Sequence, residues 1–112
     1  MTFFVEGLCL APESINQVRR IGRYSQLRDA IVAAEEAISE FLVNAFEPGM
    51  TAKMLFHRYQ SVGEVPYIFR DDGEITLNLA GFNHFRFALS KSAEIAEAHR
   101  SFIPVYRTGF MT

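Results

Sequence analysis

The sequence predicts a single α+β domain with the element order β-β-α-α-β-β-α and an apolar C-terminal extension. Its length of 112 residues is typical of one domain. Apolar residues repeat at helical spacing in the middle of the chain and again near its end. Short, bulky segments lie before and between these helices and are typical of strands. We therefore expect residues 1–112 to fold as one unit.

Two strands are predicted before the first helix. Residues 2–10 are bulky and apolar on both alternating faces, so a strand here needs cover on both sides. Residues 16–24 predict a weaker strand, in which Gly22 indicates a bulge or a close approach.

Two helices are predicted next. Ser25 is a good N-cap residue, and the helical apolar repeat continues to about Ala45. A second, shorter helix is expected to start at Thr51 and to stop at Gly63.

A hairpin and a last helix are predicted after Gly63. Residues 67–70 and 75–79 flank a turn at Asp72 and Gly73, and Pro66 favours an edge or strand-start position. The last helix is expected to begin at the capping residue Asn83 and to fade near Arg100. Residues 101–112 then predict an extended tail, docked on the sheet or on a partner subunit.

The aromatic content predicts self-association. The chain holds eleven Phe and four Tyr, and 49% of its residues are hydrophobic. A chain of this size buries only about two-thirds of the surface that its unfolded form exposes. We therefore expect a homodimer that acts as a binding or scaffolding protein of unknown ligand. The alternative is a Phe-rich core with half-exposed rings. The predicted interface residues are Tyr67, Phe69, Phe102, Tyr106 and Phe110.

The titratable residues predict neither a metal site nor a catalytic centre. His57, His84 and His99 are never three or four residues apart, and Cys9 is the single cysteine. No cofactor motif is present, so no cofactor is expected, and enzymatic activity is uncertain but not favoured. We expect His57 to be solvated and His99 to be packed and hydrogen-bonded. His84 would occupy the first position of the last helix.

A small enzyme or ligand-binding protein is one alternative function. His84, Tyr59 and Arg86 would line its pocket, and this requires the three side chains to converge. The competing interpretation is that His84 is only part of a polar cap.

A nucleic-acid accessory factor is another alternative, using Arg19, Arg20 and Arg23. The net charge of −2 argues against nucleic acid as a partner. Simple alternation along a strand would also place Arg19 and Arg23 on one face and Arg20 on the other. Solvation of these arginines is favoured, or their pairing with glutamates 35, 36 or 40 of a partner subunit.

Several short segments resemble a set of small uncharacterised bacterial proteins. The segments are Gly22-Arg23-Tyr24, Tyr59, the run from Gly63 to Ile68, and Phe82-Asn83-His84-Phe85. The resemblance spans residues 3–98 and implies an α+β fold with a closing aromatic-rich helix. It implies no activity.

The sequence predicts a cytoplasmic protein with no membrane contact. The N-terminal segment lacks a basic region, and Glu6 interrupts its apolar run, so no secretory signal is expected. No apolar stretch approaches the length needed to cross a bilayer.

Overall fold

The computed structural model describes residues 2–12, 17–71 and 82–111, with side chains described up to His99 in the last range. In this part of the chain the fold is α+β, with three strands and three helices. The elements in chain order are β1 (Phe3–Cys9), β2 (Val18–Tyr24), α1 (Leu27–Ala45), α2 (Ala52–Val62), β3 (Glu64–Arg70) and α3 (His84–Met111).

The three strands form one antiparallel sheet in the order β2-β1-β3. The central strand β1 pairs Val5 with Gly22 on one side and with Ile68 on the other. The register between β1 and β2 shifts after Val5, so that Glu6 lies opposite Arg20 and Ile21 is the extra residue of a β-bulge. The irregularity expected near Gly22 is confirmed.

The helices cover the sheet face that carries Val5 and Ile68. Helix α1 contacts all three strands, while α2 and α3 pack against α1 and against each other. The core side chains Ile38, Leu42 and Leu55 are completely buried. Burial of such a side chain contributes about 1.5–3 kcal/mol, so this core accounts for much of the expected stability.

Two of the three predicted helix starts are confirmed and one is wrong. The Thr51 hydroxyl accepts a hydrogen bond from the Met54 amide, and the Asn83 side chain accepts one from the Arg86 amide. Helix α1 instead has Gln26 at its N-cap, without a side-chain hydrogen bond. Ser25 lies one residue too early, because β2 continues to Tyr24 and two residues are needed for the turn.

The end of the chain differs from the expectation. Helix α3 runs from His84 to Met111, so the backbone does not become an extended tail after Arg100. Pro104 lacks an amide N–H and removes one helical hydrogen bond, but this does not end the helix. The predicted turn at Asp72 and Gly73 and the predicted strand at 75–79 lie outside the described residues.

Within the described ranges, no helix combines the length and the apolar character that a bilayer span requires.

Candidate functional site

Tyr59 and His84 meet where α2 packs against the start of α3. The Tyr59 hydroxyl lies 3.3 Å from Nδ1 of His84, and the two ring centroids are 6.4 Å apart. Tyr59 is completely buried, whereas His84 is half-buried at the first position of its helix. The first position in α3 predicted for His84 is therefore confirmed.

Burial sets the protonation of this pair. Desolvation raises the pKa of Tyr59 well above its usual range, and electrostatic interaction with Tyr67 and Glu64 adds to the effect. Desolvation also lowers the pKa of His84, so the imidazole is neutral at pH 7. The direction of the hydrogen bond depends on the His84 tautomer: the phenol donates when Nε2 carries the imidazole proton, and Nδ1 donates when it carries the proton itself.

Aromatic rings surround this hydrogen bond. Phe41 meets the Tyr59 ring edge-on at 5.9 Å, and Phe56 stacks on it at 6.5 Å. Phe85 lies 4.2 Å from the His84 ring. These ring contacts among the described residues hold the pair in an apolar setting, and they bring no carboxylate or thiol of the kind that a His-dependent reaction uses.

Arg86 does not join Tyr59 and His84. It lines a separate hollow of about 240 Å³ between α1 and the start of α3, together with Glu35, Phe82, Asn83, Phe87 and Ser90. The three predicted ligand-binding residues do not share this hollow: Tyr59 and His84 are in contact, and Arg86 faces a hollow that neither of them lines. The pocket predicted around all three therefore stays a prediction that this hollow does not support.

Glu35 belongs to this hollow, although the sequence does not point to it. It lies opposite the apolar repeat of its helix, a position typical of a solvated side chain. In the structure it is half-buried and faces the first turns of α3. No sequence signal links Glu35 to Arg86, since their proximity depends on how α1 packs against α3.

The second face of the sheet carries a shallow groove. Glu6, Leu8, Val18, Tyr67 and Phe69 line it, and its volume is about 210 Å³. Tyr67 and Phe69 are half-buried, while Val18 keeps 55% of its surface exposed. The predicted grouping of Tyr67 and Phe69 with one side of the first strand agrees with this geometry. The side chains of Phe102, Tyr106 and Phe110 lie outside the described residues.

Charged pairs flank the sheet on both faces. The Arg19 guanidinium donates two hydrogen bonds of 2.8 Å to the Glu64 carboxylate, and this pairing raises the pKa of Arg19. Arg20 donates to Glu6 and lies 4.5 Å above the Phe4 ring.

The bulge in β2 corrects the predicted distribution of the arginines. Arg20 lies opposite Glu6 and Arg23 opposite Phe4, so these two share a face, while Arg19 lies opposite Gly7 on the other. The extra residue at the bulge reverses the alternation between them. Two of the three arginines are also neutralised within their own sheet, which leaves little free charge for phosphates.

The remaining candidates for chemistry are isolated. His57 is exposed, and the ring of His99 packs edge-on against Phe46 at 5.1 Å. The side-chain atoms Ser92 Oγ and His99 Nε2 are buried without a hydrogen-bond partner among the described residues, so the hydrogen bond expected at His99 is not found at Nε2. Cys9 is a free thiol. Nowhere in residues 2–12, 17–71 and 82–99 do three His, Cys, Asp or Glu side chains gather as metal ligands would.

Comparison with known proteins adds no assignment. No protein-family model, curated protein or solved structure matches this chain. The resemblance to small bacterial proteins therefore stays a prediction.

Proposed function

We propose that this protein is a small cytoplasmic binding or scaffolding protein that acts as a homodimer. The observation that carries the proposal is that the described helices cover only one face of the sheet. Helix α1 lies against the face of Val5 and Ile68, while the groove of Leu8, Tyr67 and Phe69 on the second face lies outside the helical layer. A second copy of the chain is the occupant that we propose for this groove.

The aromatic side chains support the same proposal. Among the described ones only Phe3, Tyr59 and Phe82 are buried, and the rest keep part of their surface exposed. Each aromatic side chain that becomes buried removes roughly 150–250 Å² from water, so burial of the exposed rings would contribute favourable free energy to association. The Glu6 carboxylate, which lines the groove, is already paired with the Arg20 guanidinium. A second sheet face can therefore pack on it without leaving that carboxylate unpaired.

The size of this face sets the strength expected of the dimer. Three strands about 4.8 Å apart, each seven residues long at about 3.3 Å per residue, offer a face of roughly 300 Å². A stable interface buries about 800 Å² on each partner. The described sheet alone therefore supports a reversible dimer with a dissociation constant weaker than about 1 μM.

Sedimentation equilibrium over a range from about 1 to 500 μM tests the proposal. We expect the wild-type mass to rise from that of a monomer to that of a dimer, and Phe69→Lys to remain monomeric. Phe85→Lys is the matched control, because it changes the same residue type on α3, where the ring is 47% exposed.

Two outcomes would contradict the proposal. One is a wild-type chain that stays monomeric at every concentration. The other is a dimer that persists in a folded Phe69→Lys variant. Circular dichroism of both variants establishes that any loss of mass reflects association and not unfolding.

A further inference from the structure

The hollow lined by Arg86 and Glu35 holds two opposite charges that do not neutralise each other. Glu35 projects from α1 and Arg86 from the first turn of α3. The described ion pairs join Arg19 to Glu64, Arg20 to Glu6 and Lys91 to Glu94, and none of them involves Glu35 or Arg86. A carboxylate and a guanidinium thus line one hollow without forming a salt bridge across it.

The rest of the lining is apolar at the base and polar at the rim. Phe82 is buried and Phe87 half-buried, whereas Ser90 is exposed. Asn83 uses its Oδ1 atom to cap α3, which leaves its amide nitrogen as a donor. An occupant of this hollow would meet aromatic surface on one side and groups of both charges around it.

The volume limits the size of the occupant. Ligand pockets usually measure about 300–1,000 Å³, and this hollow measures about 240 Å³. A nucleotide or another large cofactor is therefore too big for it, whereas a molecule of about ten non-hydrogen atoms fits.

We infer that this hollow binds a small zwitterion, with a free α-amino acid carrying an apolar side chain as the chemical class. Its carboxylate would pair with the Arg86 guanidinium in a two-pronged hydrogen bond. Its ammonium group would pair with Glu35, and its side chain would rest on Phe82 and Phe87. This binding site is independent of the proposed dimer, because the sheet groove and the hollow share no lining residue.

Titration of ¹⁵N-labelled full-length protein with L-leucine tests this inference by chemical-shift perturbation. For so small and open a hollow we expect a dissociation constant of about 1 mM. The amide signals of the lining residues should move, and those of the sheet groove should stay in place. Two further probes each lack one charge: 4-methylpentanoate has no ammonium group, and 3-methylbutylamine has no carboxylate. Each should bind about tenfold or more weakly than leucine, because a charge-assisted hydrogen bond is lost.

Two variants test which side chain binds each charged group of leucine. Arg86→Gln should reduce leucine binding by about tenfold or more, and Glu35→Gln should do the same. Glu36→Gln and Arg58→Gln remove the same charges from exposed positions outside the hollow and should leave leucine binding unchanged. Phe69→Lys, which tests the dimer, should also bind leucine as the wild type does.

Several results would overturn the inference. One is the absence of shifts at about 10 mM leucine, ten times the expected dissociation constant. Equal binding of leucine and 4-methylpentanoate would remove the role of Glu35, and equal binding of leucine and 3-methylbutylamine would remove that of Arg86. Equal losses in the hollow variants and in the control variants would show a general charge effect instead of a site.

Discussion

Replacing Gly63 by alanine tests the packing that holds Tyr59 beside His84. Gly63 has φ −77° and ψ −173°, extended backbone that alanine adopts without strain. A Cβ atom here would lie 2.5 Å from the Tyr59 carbonyl oxygen and 2.7 Å from its Cδ1. The Gly63 amide donates to that same oxygen at 2.9 Å, so the two backbone segments cannot separate without losing a hydrogen bond. The added methyl group therefore has to displace the buried Tyr59 ring or the end of α2.

The expected cost follows from two opposing effects. Overpacking of a tight site costs about 1–3 kcal/mol, and contact with backbone favours the upper end. Alanine also restricts the unfolded chain, which returns about 0.4–1 kcal/mol of stability. We expect a net loss of about 2 kcal/mol in the free energy of unfolding. For a domain of this size 1 kcal/mol corresponds to about 4 °C, so the Tm should fall by about 8 °C.

Gly49→Ala is the matched control. Gly49 has φ +98°, and a Cβ atom added to it would meet no described atom within 4 Å, so its replacement introduces backbone strain without a steric contact. Left-handed backbone costs about 1–2 kcal/mol, and the same unfolded-state gain reduces the net loss to about 1 kcal/mol or less. Thermal unfolding of both variants by circular dichroism checks the order. If Gly63→Ala melts at the same temperature as Gly49→Ala or above it, the close approach to Tyr59 is not rigid and the reasoning fails.

Three further predictions concern single interactions. Tyr59→Phe keeps the ring contacts but removes the hydroxyl that hydrogen-bonds to His84 Nδ1, so we expect a loss of about 1 kcal/mol in the free energy of unfolding measured in urea; an unchanged midpoint would show that this hydrogen bond contributes nothing. The pKa of His84 is lower in the folded state than in the unfolded state, so as the pH falls the imidazole is protonated in the unfolded state first. The contribution of neutral His84 to the free energy of unfolding is therefore fully present above pH 6.5 and is lost as the pH drops from 6.5 towards the folded-state pKa. His84→Asn should flatten this part of the pH profile in urea titrations, and an identical slope in both proteins would contradict the assignment. A double-mutant cycle on Arg19 and Glu64 should give a coupling of about 0.5–1 kcal/mol that shrinks in 1 M salt, because the pair is two-pronged but exposed on the arginine side; a coupling that does not respond to salt would argue against an ion pair.

Most of the described elements were predictable because each leaves a local pattern. The helical repeat of α1, the capping residues Thr51 and Asn83, and the bulky strand around Val5 depend on neighbours within a few positions. The same local logic misplaced the start of α1. Ser25 has the right chemistry for a cap, but the length of β2 decides which residue stands next to the first helical turn.

The errors in the candidate sites arise from geometry that no local pattern records. One extra residue at Ile21 places Arg20 and Arg23 on a common face, although simple alternation separates them. The ligand-binding alternative requires Tyr59, His84 and Arg86 to converge, and only Tyr59 and His84 do so. Arg86 is two residues beyond His84, about 200° around the same helix, and so it faces a different neighbour.

The arrangement of the two proposed sites makes them separable in experiment. The sheet groove lies on the face away from α1, whereas the hollow lies between α1 and α3. Association through the groove would therefore leave the hollow open, and a zwitterion in the hollow would add no contact at the groove. Coupling between two sites requires that both ligands shift the same conformational equilibrium, and no shared side chain connects these two sites. An affinity for leucine that changes with protein concentration would thus mean that the second copy sits on the helical layer and not on the sheet.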